Sequence, residues 1–364
     1  MSNFKFKIHL WWLIPLLIFD VIFFAWWWNR FSSPLPSESK PVPTAGDKSI
    51  RVKFAYPTDR ELDRLNPENF QPTASGRPES AFYGSVRTER IGRKLFPSFH
   101  EGIDIAPIKR DRAGHPRDVV MAAAAGEVAY VNRYSGDSNY GKYIVLSHGF
   151  GYGRVYTLYA HLDEIGPGIR KGALVEQGNI LGIMGSTSSE RIPPANGHLH
   201  FEVGLMLNSR FDLWFKRQKL TPDHGLFNGW NLIGIDPLAV YEKQEEDNEN
   251  EYDLYACLAT IPRAFELVLK TPRQLDFFRR YPALWQGAAF NGGAIVLACS
   301  ENGLPLSGRC ANRHETAELG FKMYSVRNVD HAALGRNGCR LVVSDKGTWR
   351  LGAEGKKWLN LILF

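Results

Sequence analysis

Asn196-Gly197-His198-Leu199-His200-Phe201-Glu202-Val203 is the stretch around which the chain is organised. Successive side chains of a strand point to opposite faces. A strand here puts His198, His200 and Glu202 on one face and Leu199, Phe201 and Val203 on the other. One face is fit for a core, the other for chemistry. Neutral imidazole is a good ligand for Zn²⁺, and its second nitrogen stays free for an orienting hydrogen bond. A single His-x-His also fits an exposed polar strand face, so a metal reading needs a third ligand and an acid–base group from elsewhere.

Working upstream, Phe99-His100-Glu101-Gly102-Ile103-Asp104-Ile105-Ala106 has β-branched residues at 103 and 105 and reads as a strand, with His100, Gly102 and Asp104 on one face. An imidazole and a carboxylate converge there, with the glycine between them leaving room for a metal. His100, Asp104 and one histidine of the later pair make a three-ligand zinc site whose fourth position is open to water, as catalytic zinc requires. Between these motifs the chain reads as short strands punctuated by glycine: Val119 to Met121, Ala124 to Val131, Tyr143 to Gly149, Arg154 to Leu162 and Gly178 to Gly185. That pattern predicts a mainly β fold, an antiparallel sheet or barrel-like domain.

Residues 10–28, LWWLIPLLIFDVIFFAWWW, form an apolar run of the length that crosses a bilayer, flanked by Lys5, Lys7 and Arg30 and with tryptophans at both ends. No Ala-x-Ala-like cleavage site and no following cysteine occur, so an uncleaved signal anchor is expected over residues 1–30, with its N-terminus inside. The remainder would then face the periplasm or cell exterior, placing the protein in a bacterial inner (cytoplasmic) membrane. Residues 31–80 begin with a Pro/Ser-rich tether, and Arg51 to Tyr56 could be a strand. The net charge of +6 and pI near 9.0 suit an anionic polymer or membrane surface. No Lys/Arg tract or aromatic RNA-binding signature appears, which argues against nucleic acid.

His100-x-x-x-Asp104, Tyr159-Ala160-His161-Leu162 and Gly197-His198-Leu199-His200-Phe201-Glu202 together resemble the motifs of the lysostaphin/LytM-type zinc endopeptidases that cut peptidoglycan peptides. Supporting matches are Gly84-Ser85-Val86-Arg87, Ala125-Gly126-Glu127-Val128, the strand ending at His148-Gly149, and Gly178 to Gly182. The resemblance covers about residues 80–238 and implies a LytM-type peptidase domain over 81–241. It implies one Zn²⁺ ion held by His100, Asp104 and His200, with His161 and His198 acting on substrate or water. No His-Glu-x-x-His motif is present, so a histidine must serve as base. His198 is assigned that role and His161 the stabilisation of the tetrahedral oxyanion, with exchange of the two roles open. Glu202 is either an orienting partner of the site or a solvated or salt-bridged strand residue. His148 ends a strand and reads as structural. Two segments depart from the family's pattern, Ser186 to Asn196 and the basic Ile108 to Arg117; such rim loops carry specificity.

The expected activity is hydrolysis of peptide stems or cross-links of peptidoglycan by a membrane-anchored zinc metalloendopeptidase. The competing reading is a non-catalytic LytM-type regulator that activates a separate wall hydrolase through cell-wall or divisome-type partners. Glu242 to Glu251 reads as an acidic linker. Beyond it, residues 252–364 read as a small α+β domain of no recognised family, with a helix-like Phe265 to Arg280 and strand-like patches at Ala294 to Cys299 and Cys339 to Ser344. All four cysteines, Cys257, Cys299, Cys310 and Cys339, lie there, and an oxidising compartment would favour two disulfides.

Overall fold

The structure, a computed structural model, describes residues 49–73, 75–91, 94–149, 154–220, 224–247 and 253–364. The expected membrane span at 10–28 and the Pro/Ser-rich tether at 31–48 lie outside the described residues. Among the described residues no helix is long and apolar enough to cross a membrane.

The first part of the chain is built from β1 (Val86–Ile91), β2 (Lys94–Phe99), β3 (Ile103–Ile105), β4 (Val119–Met121), β5 (Gly126–Asn132), β6 (Tyr143–His148), β7 (Val155–Ala160), β8 (Glu164–Ile165), β9 (Leu174–Val175), β10 (Ile180–Ile183), β11 (Leu199–Met206) and β12 (Leu232–Ile235). Strands β12, β11, β7, β6, β5 and β9 lie side by side in that order, all neighbours antiparallel, and β3 also pairs with β11. The first half of β11 takes β3 as neighbour and the second half takes β12, both on the edge opposite β7. The sheet is open, so the barrel-like alternative does not hold: β9 and β12 end it without pairing to each other. A smaller sheet, β4-β10-β8, packs beside it.

Strand β11 follows the predicted alternation. Leu199, Phe201, Val203 and Leu205 are all fully buried in the core, and each such side chain contributes about 1.5–3 kcal/mol by leaving water. The opposite face is also buried: His198, His200 and Glu202 are under 10 % exposed. Gly102 serves a different purpose from the one its position suggested. A Cβ there would lie 2.4 Å from the Phe201 carbonyl oxygen and 2.9 Å from Glu202 Cγ, so the glycine admits strand β11 itself rather than an ion.

Arg51 to Tyr56 form no strand. A side-chain amide replaces a ladder there: Phe54 N donates to Gln244 Oε1 (2.6 Å) and Gln244 Nε2 to Phe54 O (2.9 Å). Gln244 belongs to the helix Pro237–Glu246, capped by Asp236, which takes in the first half of the acidic run expected as a linker.

Residues 253–364 contribute β13 (Phe265–Thr271), β14 (Trp285–Gln286), β15 (Gly293–Cys299), β16 (Pro305–Cys310), β17 (Tyr324–Arg327) and the hairpin β18 (Val342–Asp345) and β19 (Thr348–Leu351). The sheet order is β14-β16-β15-β13-β17, and the helix Ala353–Leu363 ends the chain. The helix-like reading of Phe265 to Arg280 fails in its first half. Phe265, Leu267 and Leu269 alternate into the core, β15 and β17 flank the strand on both sides, and Pro272 holds Thr271 extended. Only Asp276–Arg280 is helical. One buried core runs from Ile50 through β11 to Ile362, so this region shares the interior of the first.

The two expected disulfides are absent; all four cysteines are free thiols. Cys310 is opposite Ile295 and Cys299 opposite Pro305. The two therefore sit four residues apart along β15, about 13 Å, beyond the roughly 7 Å a disulfide spans. Burial pushes the Cys257 thiol up to about 12 and the Cys299 thiol higher still.

His148 is structural, as read. It is fully buried, donates from Nδ1 to Ala125 O (2.9 Å) and accepts at Nε2 from Thr157 Oγ1 (2.7 Å). Burial lowers its pKa to about 4. The unfolded chain binds this proton below about pH 6.5 and the folded protein only near pH 4, so the stabilisation is complete above pH 6.5 and is lost as pH falls to 4. It amounts to about 3 kcal/mol. Denaturant unfolding of wild type and His148→Gln between pH 7 and 4 should therefore differ in slope, the variant losing less stability on acidification; parallel curves would refute this assignment.

Candidate metal centre

The register of β11 builds the site. His200 faces Asp104 directly across the β3–β11 pair and Ala160 across the β7–β11 pair, so His161, the next residue after Ala160, ends beside it. His198 is fixed one step before the strand by a bridge to Gly185. Gly197 is pinched between Pro116 and the Gly185 carbonyl, either of which lies under 3 Å from any added Cβ. His161 itself adopts φ 61°, a left-handed conformation that costs a non-glycine residue about 1–2 kcal/mol. Two backbone bonds hold it there, His161 N to Tyr140 O (2.9 Å) and Leu162 N to Lys142 O (3.0 Å).

Three atoms meet at one point. His100 Nε2, Asp104 Oδ1 and His200 Nδ1 are each 3.0 Å from the other two, and all three residues are buried. Among the described residues, these are the ones whose donor atoms cluster closely enough to share an ion. His198 Nε2 lies 3.4 Å from Asp104 Oδ1. The His161 and His198 rings are 4.8 Å apart and the His161 and His200 rings 5.9 Å.

Each imidazole has its far nitrogen committed to an acceptor. His100 Nδ1 donates to Phe82 O (2.9 Å), His161 Nδ1 to Thr187 O (2.8 Å), His198 Nδ1 to Asn196 O (2.8 Å) and His200 Nε2 to Glu202 Oε1 (2.9 Å). A carbonyl or carboxylate oxygen can only accept, so those nitrogens carry the protons. The lone pairs of neutral rings are left on Nε2 of His100, His161 and His198 and on Nδ1 of His200.

Charge reinforces this arrangement at His100 and His161 and opposes it at His200. Burial lowers the His100 pKa to about 4 and, with the neighbouring His198 and His200, holds His161 well below its ordinary value, so both are neutral. Burial opposes a charge on His200 too, but hydrogen bonds to Asp104 and Glu202 outweigh it and raise the pKa to about 9. Burial alone would raise the Asp104 pKa; His100, His198 and Arg87 beside it hold the carboxyl well below the usual range. One carboxylate oxygen and two imidazole nitrogens, dry and fixed from behind, suit Zn²⁺, whereas Mg²⁺ and Ca²⁺ take oxygen ligands.

Three further residues complete the site. Arg87 Nη2 donates to Asp104 Oδ2, and Arg87 Nε to Ser80 O (3.0 Å). Tyr140 Oη donates to Glu202 Oε1 and Tyr156 Oη to Glu202 Oε2, both at 2.7 Å. Glu202 is thus fully buried and bonded to three donors, which decides its two readings in favour of orienting His200. Arg87 lay within a quoted motif, but nothing in that motif pointed to Asp104. Tyr156 is the register partner of Gly204 on β11, where a Cβ would lie 2.7 Å from the tyrosine hydroxyl, a pairing that no sequence motif marks.

The profile of peptidase family M23 matches residues 98–210. No curated protein matches the sequence. Among solved structures, a zinc-containing peptidase from Vibrio cholerae is 25% identical over 37% of this chain and 35% of its own, with a TM-score of 0.24. This chain therefore spans about a third of that protein. The catalytic domain of the antimicrobial peptidase lysostaphin from Staphylococcus simulans is 24% identical over 34% of this chain and 75% of its own, TM-score 0.24. The SpoIIQ–SpoIIIAH pore-forming complex matches at 23% identity over 42% of this chain and 84% of that chain, TM-score 0.27. The segment that matches the peptidase family M23 profile, residues 98–210, carries His100, Asp104, His161, His198 and His200.

Proposed function

We propose that the protein is a zinc metalloendopeptidase, anchored by its N-terminal apolar run, that hydrolyses peptide bonds in the stems or cross-links of peptidoglycan outside the cytoplasmic membrane. The observation that carries this reading is the meeting of His100 Nε2, Asp104 Oδ1 and His200 Nδ1, each 3.0 Å from the other two. These atoms would hold one Zn²⁺. When bound, the ion polarises a peptide carbonyl and lowers the pKa of water.

His198 and His161 supply the acid–base work. Both present Nε2 as an acceptor, so together they match the two O–H bonds of one attacking water. His198 takes the proton at Nε2 and returns it to the leaving amine. His161, kept neutral by burial, orients the water by accepting its second hydrogen. This differs from oxyanion stabilisation by His161, which needs an N–H at Nε2, while its proton is held on Nδ1 by Thr187. The basic loop at 108–117 and the segment 186–196 meet where Arg110 donates to Pro194 O (2.8 Å) and Gly197 O (3.0 Å), supporting a rim that selects the peptide next to His198.

Purified full-length protein in detergent should release soluble fragments from cross-linked peptidoglycan, and a chelator should stop the release. Zinc-loaded protein that releases nothing, yet stimulates a separate wall hydrolase, would replace this reading with the regulator.

A further inference from the structure

The C-terminal region, which matches no part of the family profile, touches the segment that orients two of the metal-facing residues. Phe82 O accepts the His100 Nδ1 proton, and Arg87 donates to Asp104 Oδ2. These groups lie at the two ends of the turn 82–87, tied to His100 by Gly84 N to His100 O (2.9 Å) and His100 N to Ser85 O (3.0 Å).

Residues 300–303 and 338 grip that turn. Asn302, only 6 % exposed, donates from Nδ2 to Tyr83 Oη (3.0 Å) and to Gly234 O (3.1 Å), while Ser300 Oγ donates to Asn302 Oδ1 (2.6 Å) and fixes the amide. Tyr83 Oη donates in turn to Gly234 O on β12 (3.0 Å). Gly338 lies so close to Val86 that an added Cβ would sit 2.6 Å from Val86 Cγ2. Gly84, at φ +75°, turns the chain beside Glu301.

We propose that residues 253–364 brace the metal centre. Through Asn302 and Gly338 they hold the turn 82–87, and Arg87 is the positioning residue that occupies Asp104 Oδ2 and so leaves Oδ1 alone to face the ion. The C-terminal region thereby acquires a role inside the peptidase. The inference rests on the zinc reading above. Outer partners that orient metal ligands are worth about 10- to 100-fold in metal affinity, and a brace acting through one hydrogen bond is worth about 5-fold.

The test measures zinc affinity of the full-length protein in detergent by competition with a chelator, alongside the visible spectrum of the cobalt-substituted form and the melting temperature. Arg87→Gln should bind zinc about 10- to 100-fold more weakly, and Arg87→Lys should recover part of the loss. Asn302→Ala and Gly338→Ala should each weaken zinc binding about 5-fold and alter the cobalt spectrum. Should Asn302→Ala fail to fold, Gly338→Ala decides, because alanine fits its backbone and only pushes Val86; hydrogen exchange at the Gly84 and His100 amides should rise in that variant. Wild type that binds zinc while both C-terminal variants match it within twofold overturns the brace alone. Arg87→Gln with wild-type affinity overturns the positioning role, and wild type that binds no zinc overturns the zinc reading together with the brace.

Discussion

His200→Ala is expected to lose bound zinc and with it all peptidoglycan hydrolysis, whereas His198→Ala keeps its zinc and loses turnover. The two histidines are two residues apart on one strand face, yet their free nitrogens do different things. His200 Nδ1 lies 3.0 Å from both His100 Nε2 and Asp104 Oδ1, so its removal deletes one of three converging donors. A metal held by two protein ligands should dissociate on purification, with affinity falling by more than about 100-fold, beyond the range for an outer partner. His198 Nε2 stands 3.4 Å from Asp104 Oδ1, at the edge of the cluster, with its Nδ1 bonded to the backbone of its own loop. Its loss removes a proton acceptor, worth about 10²–10⁴ in rate. Metal content by atomic emission and fragment release by chromatography separate the cases. Equal zinc in wild type and His200→Ala would remove His200 from the ligand set, and full turnover by His198→Ala would remove the proposed base.

The alternation of Leu199, Phe201 and Val203 against His198, His200 and Glu202 was legible because a period of two admits one partition of side chains, and burial follows apolar character on the core side. Asp104 was legible for the same reason on β3, whereas His100 lies in the connection before that strand and was marked only by its spacing from Asp104. What escaped the sequence depends on which strand lies beside which. Arg87 meets Asp104 because the pairing of β1 with β2 returns the start of β1 to the connection that leads into β3, a closure that no local period encodes. Tyr140 and Tyr156 reach Glu202 from a loop and from β7, and only the pairing of Gly204 with Tyr156 brings the second hydroxyl to the carboxylate. The strand β13 was misread for a related cause: Phe265 to Lys270 carries one β-branched residue, Val268, inside an otherwise helix-compatible run, and two flanking strands override that preference. The cysteines were read from the expected compartment, whereas strand register sets the distance between Cys299 and Cys310.

Glu202 offers the other large effect. Its carboxylate is fully buried and accepts from His200 Nε2, Tyr140 Oη and Tyr156 Oη at 2.7–2.9 Å. Glu202→Ala would strand three buried donors, each costing about 1–3 kcal/mol unless water replaces the acceptor, against a net stability of about 5–15 kcal/mol for a domain. That variant is expected to lose about 3–5 kcal/mol in denaturant unfolding and to retain little folded protein at 37 °C. Glu202→Gln separates charge from packing. The amide oxygen can keep the His200 and Tyr140 bonds, while the amide nitrogen meets Tyr156, whose hydroxyl can turn to accept. Folding should then survive with a smaller loss. The neutral amide no longer draws the Nε2 proton of His200 as a carboxylate does, so His200 Nδ1 becomes a weaker donor and zinc affinity should fall about 10- to 100-fold. Chelator competition on the folded Glu202→Gln protein is the deciding measurement. An affinity equal to wild type would mean that the carboxylate serves only to satisfy the two tyrosines, and that His200 is oriented by Asp104 and the strand alone.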